Sequence, residues 1–303
     1  MLFRSGPVAF IHLREQPREL EPVRFQIALP ENVTLSGLAG FAVSPNGRQL
    51  VFTATDADGV TRLWLRALDV VDARPLPGTE GTTGAPPFWS PDSRFVAFNS
   101  AGKLKKIAIA GGPAQTLCDA PAVLGGSWNR AGVIVFAQVP PNIIMQVPAA
   151  GGVATPITKL EPSQQEILHA FPTFFPDGRH FLFLRGSVSN RLGAFVGSLD
   201  VKPEEQSSRL LVATPFGPAY VPSSDAGPGL LLFQREETLV AQPFDDRRLE
   251  LSDEAMPVVE RLGSFLAFPF FSASANGVLV YRTGADVSRT RSEERRVGKE
   301  CRL

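Results

Sequence analysis

The 303-residue sequence predicts an all-β protein: a β-propeller of four-stranded antiparallel blades, about five of them whole, with a further partial blade that leaves the ring truncated. Three observations predict it. A phrase built from an apolar strand end, a tight turn and an apolar run recurs as FAVSPNGRQLVF from Phe41, PFWSPDSRFVAF from Pro87, GSWNRAGVIVF from Gly126, TFFPDGRHFLFL from Thr173 and FSASANGVLVY from Phe271. Aligned on Ser44, Ser90, Asn129 and Phe175, the copies stand 46, 39 and 46 residues apart. A further 99 residues separate Phe175 from Ser274, which leaves room for one degenerate copy. Periods in the 40s are those of propeller blades. The 27 Gly, 27 Pro and 22 Phe fit many short strands joined by tight turns.

Each copy follows one plan. Val43, Trp89, Trp128 and Phe174 end a first strand. Pro45, Pro91 and Pro176 then preset the turn's φ, and Asn46, Asp92 and Asp177 are placed to bond the backbone two residues on. The apolar runs 50–52, 95–98, 133–136 and 181–184 read as second strands buried on both faces, as between stacked blades. Residues 63–65, 104–109 and 143–147 read as third strands, and 114–117 and 155–158 as outer ones. Gly111-Gly112 and Gly151-Gly152, 40 residues apart, mark primed hairpin turns that need positive φ. A weaker fifth unit takes strands from 229–233, 238–244 and 249–251, after a Pro/Gly-rich loop at 215–228. The segment 161–170 is the one place for a helical turn or two. Residues 23–29 (VRFQIAL) form a strand ahead of the first unit, of the kind that completes a last blade and removes an open edge. The last unit stops after about two strands, so closure of the ring is open at this point.

Composition excludes several functions. Thirty basic residues balance thirty acidic ones, leaving no cationic excess for phosphates, and no nucleic-acid partner is expected. Two Cys and three His are too few for a disulfide scaffold or a cysteine-rich zinc site. His12, His169 and His180 are too dispersed for a metal helix, and His180 reads as a packed or edge residue of a strand. Gly125-Gly126-Ser127-Trp128-Asn129 lacks the last glycine of a nucleophile elbow and reads as a turn entering a strand. Asp56-Ala57-Asp58-Gly59 opens like a calcium loop but lacks the third oxygen ligand and the closing Glu, so a hairpin tip is expected. Lys103, Lys105 and Lys106 read as a solvated strand edge that discourages pairing. Trp64, Trp89 and Trp128 are either ligand platforms or packing residues, and the shared repeat position of Trp89 and Trp128 favours packing between blades. No catalytic residue, metal ligand or cofactor is expected.

The SP[DN][GS]R phrase at blade spacing resembles the TolB-type β-propeller repeat. VRFQIALPENV, RLWLRALD, PLPGTEG, GKLKKI, GGPAQTLCDAP and LVAQPFD, with the turn phrases above, further resemble the propeller segment of bacterial transmembrane serine/threonine protein kinases over roughly 20–283. That resemblance implies a non-catalytic extracytoplasmic sensor, binding a protein, peptide or small molecule, held to the membrane through an upstream helix whose end would be 6–13 (GPVAFIHL). The sequence carries no kinase Gly-rich loop, VAIK-like lysine, HRD or DFG. A free-standing TolB-like periplasmic binding protein and the propeller of a prolyl-oligopeptidase-like peptidase are the alternatives. The expected organisation is a propeller at 23–285, a membrane-helix remnant and linker at 6–22, and a disordered end at 286–303. Residues 291–303 (RSEERRVGKECRL) and 1–5 (MLFRS) resemble translated sequencing-adapter sequence. Setting aside the six basic and three acidic residues of these two ends leaves 24 against 27, a net charge of −3, with Cys118 as the remaining cysteine.

Overall fold

In the computed structural model, residues 25–35, 40–188, 192–223 and 227–284 are described. They form five sheets of four-stranded plan and two of two strands; the five and the two-stranded sheet of Phe271–Ala273 and Leu279–Tyr281 stand in a ring, a β-propeller, and Ser264–Phe265 with Phe268–Pro269 makes a separate hairpin. The innermost strands are Phe41–Val43, Phe88–Trp89, Val123–Trp128, Glu166–Phe174, Ala219–Val221 and Phe271–Ala273. Each lies beside the next, and Phe271–Ala273 returns to Phe41–Val43, so the ring is closed. Second strands are Gln49–Thr55, Phe95–Ser100, Val133–Gln138, His180–Ser187, Gly229–Arg235 and Leu279–Tyr281. Third strands Thr61–Ala67, Lys103–Ala108, Ile143–Pro148, Gly193–Ser198 and Thr238–Asp245 follow in all sheets but the sixth, outer strands Ala73–Pro75, Gln115–Asp119, Thr155–Pro156 and Leu210–Ala213 complete the first four, and every pairing is antiparallel. Two ladders are divided. Thr34–Leu35 and Phe41–Val43 share the inner edge of the first blade, and Glu250–Leu251 and Met256–Val259 share the outer edge of the fifth.

The core is radial. Six apolar clusters lie at the boundaries between blades, which is why the second strands read as unbroken apolar runs: each faces a neighbour on both sides. Phe136, Phe181, Phe183, Phe233 and Phe244 are fully buried there, each stabilising the stack by roughly 1.5–3 kcal/mol. At the sixth boundary the missing outer strands are replaced. Ile27, Val33 and Val280 pack on Phe52 and Trp64 of the first blade, and Arg66 Nη1 donates to Ala28 O at 2.8 Å.

Several expectations are corrected. Residues 25–30 cover the first blade as irregular chain rather than as a strand, because they pack by side chains and one guanidinium bond and have no ladder partner. In 161–170, a single 3-10 turn at Pro162–Gln164 ends at Gln165 in the left-handed region (φ 56°), and Glu166 already begins the inner strand of the fourth blade. The loop at 215–228 contains the inner strand Ala219–Val221. Gly111, Gly112, Gly151 and Gly152 do take positive φ, yet they lie in six-residue connections at 109–114 and 149–154 and not in two-residue hairpins. Lys103–Ala108 is paired on both sides, so its lysines mark no edge. Gly125-Gly126-Ser127 lies within a strand, bulged at Gly125 (φ 82°). The expected features at 1–22 and 286–303 lie outside the described residues.

Candidate inter-blade binding site

The turns between first and second strands gather around one mouth of the ring. In the first blade, Ser44 Oγ donates to Asn46 Oδ1 (2.7 Å) and accepts from Gln49 N (2.9 Å). The second and sixth blades repeat this with Ser90 to Asp92 (2.5 Å) and Ser274 to Asn276 (2.6 Å). Serine is the repeat residue because one small hydroxyl both donates to the Asx side chain and accepts from the returning strand. These turns latch one blade to the next. Asn46 N donates to Ser93 Oγ (3.2 Å), Asn129 Nδ2 to Gly178 O (2.7 Å) and Asn276 Nδ2 to Asn46 O (2.9 Å). Deeper in the ring, Phe174 N donates to Ser127 Oγ and Val43 N to Ser272 Oγ, both at 3.0 Å and at the same repeat position.

The boundary between the second and third blades is built differently. The third turn is one residue shorter: Asn129 N reaches Val133 O, whereas Ser90 N reaches Phe95 O across five residues. An open cleft of about 360 Å³ lies at this boundary, lined by Pro91, Asp92, Phe95, Trp128, Arg130 and Ala149 among others. Trp89, at the equivalent position one blade earlier, is 6% exposed and its Nε1 donates to Ala42 O at 3.0 Å. Trp128 is half-buried instead, with its ring 6.2 Å from that of Phe95. The ammonium of Lys106 stands 5.4 Å from the Phe95 ring centre and 5.8 Å from that of Trp128, and donates to Ala149 O at 2.6 Å. Slight burial works to raise the Asp92 pKa, but the Ser90 hydroxyl, the Arg94 N–H and the Arg94 charge outweigh it and hold this carboxyl below the usual range. The packing expectation thus holds for Trp64 and Trp89, both buried, and in part for Trp128, which packs on the apolar cluster between the second and third blades and lines the cleft with the rest of its surface.

A second cleft of about 320 Å³ lies between the fourth and fifth blades, beside His180, Arg209 and Arg248. Here each basic side chain is already paired: His180 Nδ1 with Asp177 at 2.5 Å, Arg209 with Glu250 at 3.5 Å and Arg248 with Asp245 at 3.7 Å. Asp56 caps its hairpin by accepting from Asp58 N and Val60 N, the hairpin tip the sequence predicted.

Sequence reading missed a buried ionic node in the fourth blade. Glu166 Oε1 lies 3.1 Å from Arg185 Nη1, and Oε2 lies 3.1 Å from His169 Nε2 while accepting from Glu161 N at 2.7 Å. The Arg185 guanidinium lies over Phe195 at 4.4 Å and donates to Ser207 O at 3.0 Å. Burial lowers the His169 pKa, with the Arg185 charge adding to it against the Glu166 bond, so the imidazole is neutral at pH 7. With its proton on Nε2, toward the carboxylate, Nδ1 is a buried acceptor without a partner. Burial opposes ionisation of Glu166 too, but its His169 and Glu161 bonds and the Arg185 charge carry the balance below the ordinary carboxylate range. Burial also raises the Cys118 thiol to about 11, with Asp119 adding to the shift, which leaves it unreactive at neutral pH. Among the described residues no helix is long and apolar enough to cross a membrane, and no group of His, Cys, Asp and Glu is arranged to hold a metal ion.

No family model matches the chain, and no curated protein matches it. Solved structures do. TolB from Acinetobacter baumannii is 12% identical with a TM-score of 0.54 over 73% of this chain, and the match spans 54% of that protein's length. A protein described as TolB from Agrobacterium tumefaciens is 14% identical, with a TM-score of 0.55 over 81% of this chain and 90% of that one. An oligogalacturonate lyase from Vibrio parahaemolyticus is 14% identical, with a TM-score of 0.52 over 84% of this chain and 73% of that one. At such identities the likeness bears on architecture, and it shows a TolB-like β-propeller fold.

Proposed function

We propose that this chain is a non-catalytic recognition module, the extracytoplasmic sensor propeller of a membrane serine/threonine protein kinase. The observation that carries the recognition reading is the cleft lined by Phe95 and Trp128 between the second and third blades, whose turns share no bond among the described residues, whereas turns tie the first blade to the second, the third to the fourth and the sixth to the first. A preformed scaffold with an open, amphipathic recess suits binding, because little ordering entropy is lost when a ligand enters. The kinase context rests on the resemblance of the blade wording, from VRFQIALPENV to LVAQPFD, to the propeller segment of that family.

Reading the uninterrupted gene on both sides of this chain tests the assignment. A kinase domain and membrane helix upstream support it. A signal peptide upstream replaces it with the free-standing TolB-like binding protein, and a hydrolase domain downstream with the peptidase propeller. The purified chain is expected to show neither kinase nor hydrolase turnover, and turnover that co-purifies with it overturns the non-catalytic reading.

A further inference from the structure

We propose that the cleft between the second and third blades binds a small-molecule carboxylate with a flat apolar body, seated on Trp128 and Phe95 with its charge toward Lys106 and Arg130. The inference deepens the recognition reading and rests on it. Its basis is an imbalance of charge within an apolar recess. Phe95, Trp128, Pro91 and Ala149 give the walls their apolar character. The Asp92 carboxylate accepts on Oδ1 from the Ser90 hydroxyl and the Arg94 N–H, and the adjoining Arg94 charge offsets its own. Neither Lys106, bonded to a carbonyl, nor Arg130, at the rim, has an acidic partner among the described residues. In the cleft between the fourth and fifth blades every basic side chain is paired, so the surplus is particular to this recess.

The chemistry follows from those groups. The ammonium of Lys106 sits beside both rings, so an added cation is repelled and an anion attracted. Two of its three N–H donors remain beyond the Ala149 bond. About 360 Å³ lies at the lower end of the range for small-ligand sites, which run from about 300 to 1,000 Å³, and this sets the occupant at the size of a single aromatic acid.

Titrating the full chain with 3-phenylpropionate, followed by the indole N–H resonances of its three tryptophans, tests this. Trp128→Phe assigns the responding signal. The Trp128 resonance is expected to shift saturably, with 3-phenylpropionamide binding at least tenfold more weakly. Lys106→Gln and Arg130→Gln are each expected to weaken the acid at least threefold while leaving the amide unchanged. Arg130 is exposed, so its variant tests the charge preference even if Lys106→Gln disturbs packing. Equal binding of acid and amide, a response from Trp64 or Trp89 alone, or no saturable shift overturns the proposal. A peptide ending in Phe that binds tenfold more tightly than 3-phenylpropionate also overturns it, by moving the site to a protein terminus. The gene context is read separately, so a bound carboxylate beside a signal peptide leaves this site standing and removes the kinase reading.

Discussion

Substituting Glu166 isolates the energy of the buried node in the fourth blade. Its side chain is 2% exposed and meets three partners: Arg185 Nη1, His169 Nε2 and the Glu161 N–H. Glu166→Leu removes the one negative charge and leaves the Arg185 guanidinium buried against Phe195 and Phe183. Breaking a buried pair from one side costs about 3–5 kcal/mol, since an uncompensated ion remains. Part of that is recovered here by the Ser207 carbonyl, which places the expectation near the lower bound, about 3 kcal/mol. Glu166→Leu combined with Arg185→Met removes the orphaned ion, and the double variant is expected to regain more than half of the loss. Urea unfolding at pH 7, followed by tryptophan fluorescence and circular dichroism, reads both values. A single-variant loss under about 1 kcal/mol, or a double variant no more stable than the single, refutes the reasoning about an uncompensated charge.

Three further outcomes are expected. Both His169 and Glu166 have folded pKa values below their unfolded ones, so the unfolded chain binds more protons and stability must fall on acidification: first as pH drops below about 6.5 through His169, then below about 4.3 through Glu166. Urea midpoints between pH 7.5 and 5 should fall less steeply in His169→Gln, and identical slopes contradict the assignment. Trp89→Phe loses the bond to Ala42 O and part of the packing between the first two blades, a cost of about 1–3 kcal/mol by thermal or urea unfolding; an unchanged midpoint would show that this boundary does not depend on it. Gly47 holds φ 66°, and a Cβ there would stand 2.2 Å from Asn276 Oδ1, so Gly47→Ala should cost about 1–2 kcal/mol and speed amide exchange at Gly277, which the intact turn protects. Wild-type exchange in that variant would mean the latch between sixth and first blades is dispensable.

The blades were legible in the sequence because their turn chemistry is local. Ser-Pro-Asn-Gly at 44–47 and Ser-Pro-Asp-Ser at 90–93 state their own hydrogen bonds, and apolar runs such as 181–184 follow from burial on both faces. What depended on distant partners was hidden. Trp89 and Trp128 share a repeat position, and what separates a packed indole from one beside a cleft is a distant partner: Trp89 reaches the Ala42 carbonyl 47 residues away, whereas Trp128 stands near Phe95 and lines the recess. Lys106 read as part of a solvated edge because its rings, Phe95 and Trp128, lie 11 and 22 residues away. Glu166 and His169 sat in a segment with helical potential, and in the strand they form instead their i, i+3 spacing becomes a contact because the ladder is irregular between Glu166 and Leu168. The strand expected at 23–29 failed for a similar reason: Ile27 packs on a hydrophobic surface near Trp64 rather than the chain pairing with the open edge of Leu279–Tyr281.

Closure between the two ends of the ring has a consequence for synthesis. The bond from Asn276 to the Asn46 carbonyl spans 230 positions, and at ribosomal rates of about 5–20 residues per second the first blade emerges roughly 10–45 s before its last neighbour exists. Among the described residues already made in that interval, Ile27, Val33 and Leu35 cover its Trp64 side. The seam between the sixth and first blades is therefore the last of the described boundaries to form during synthesis.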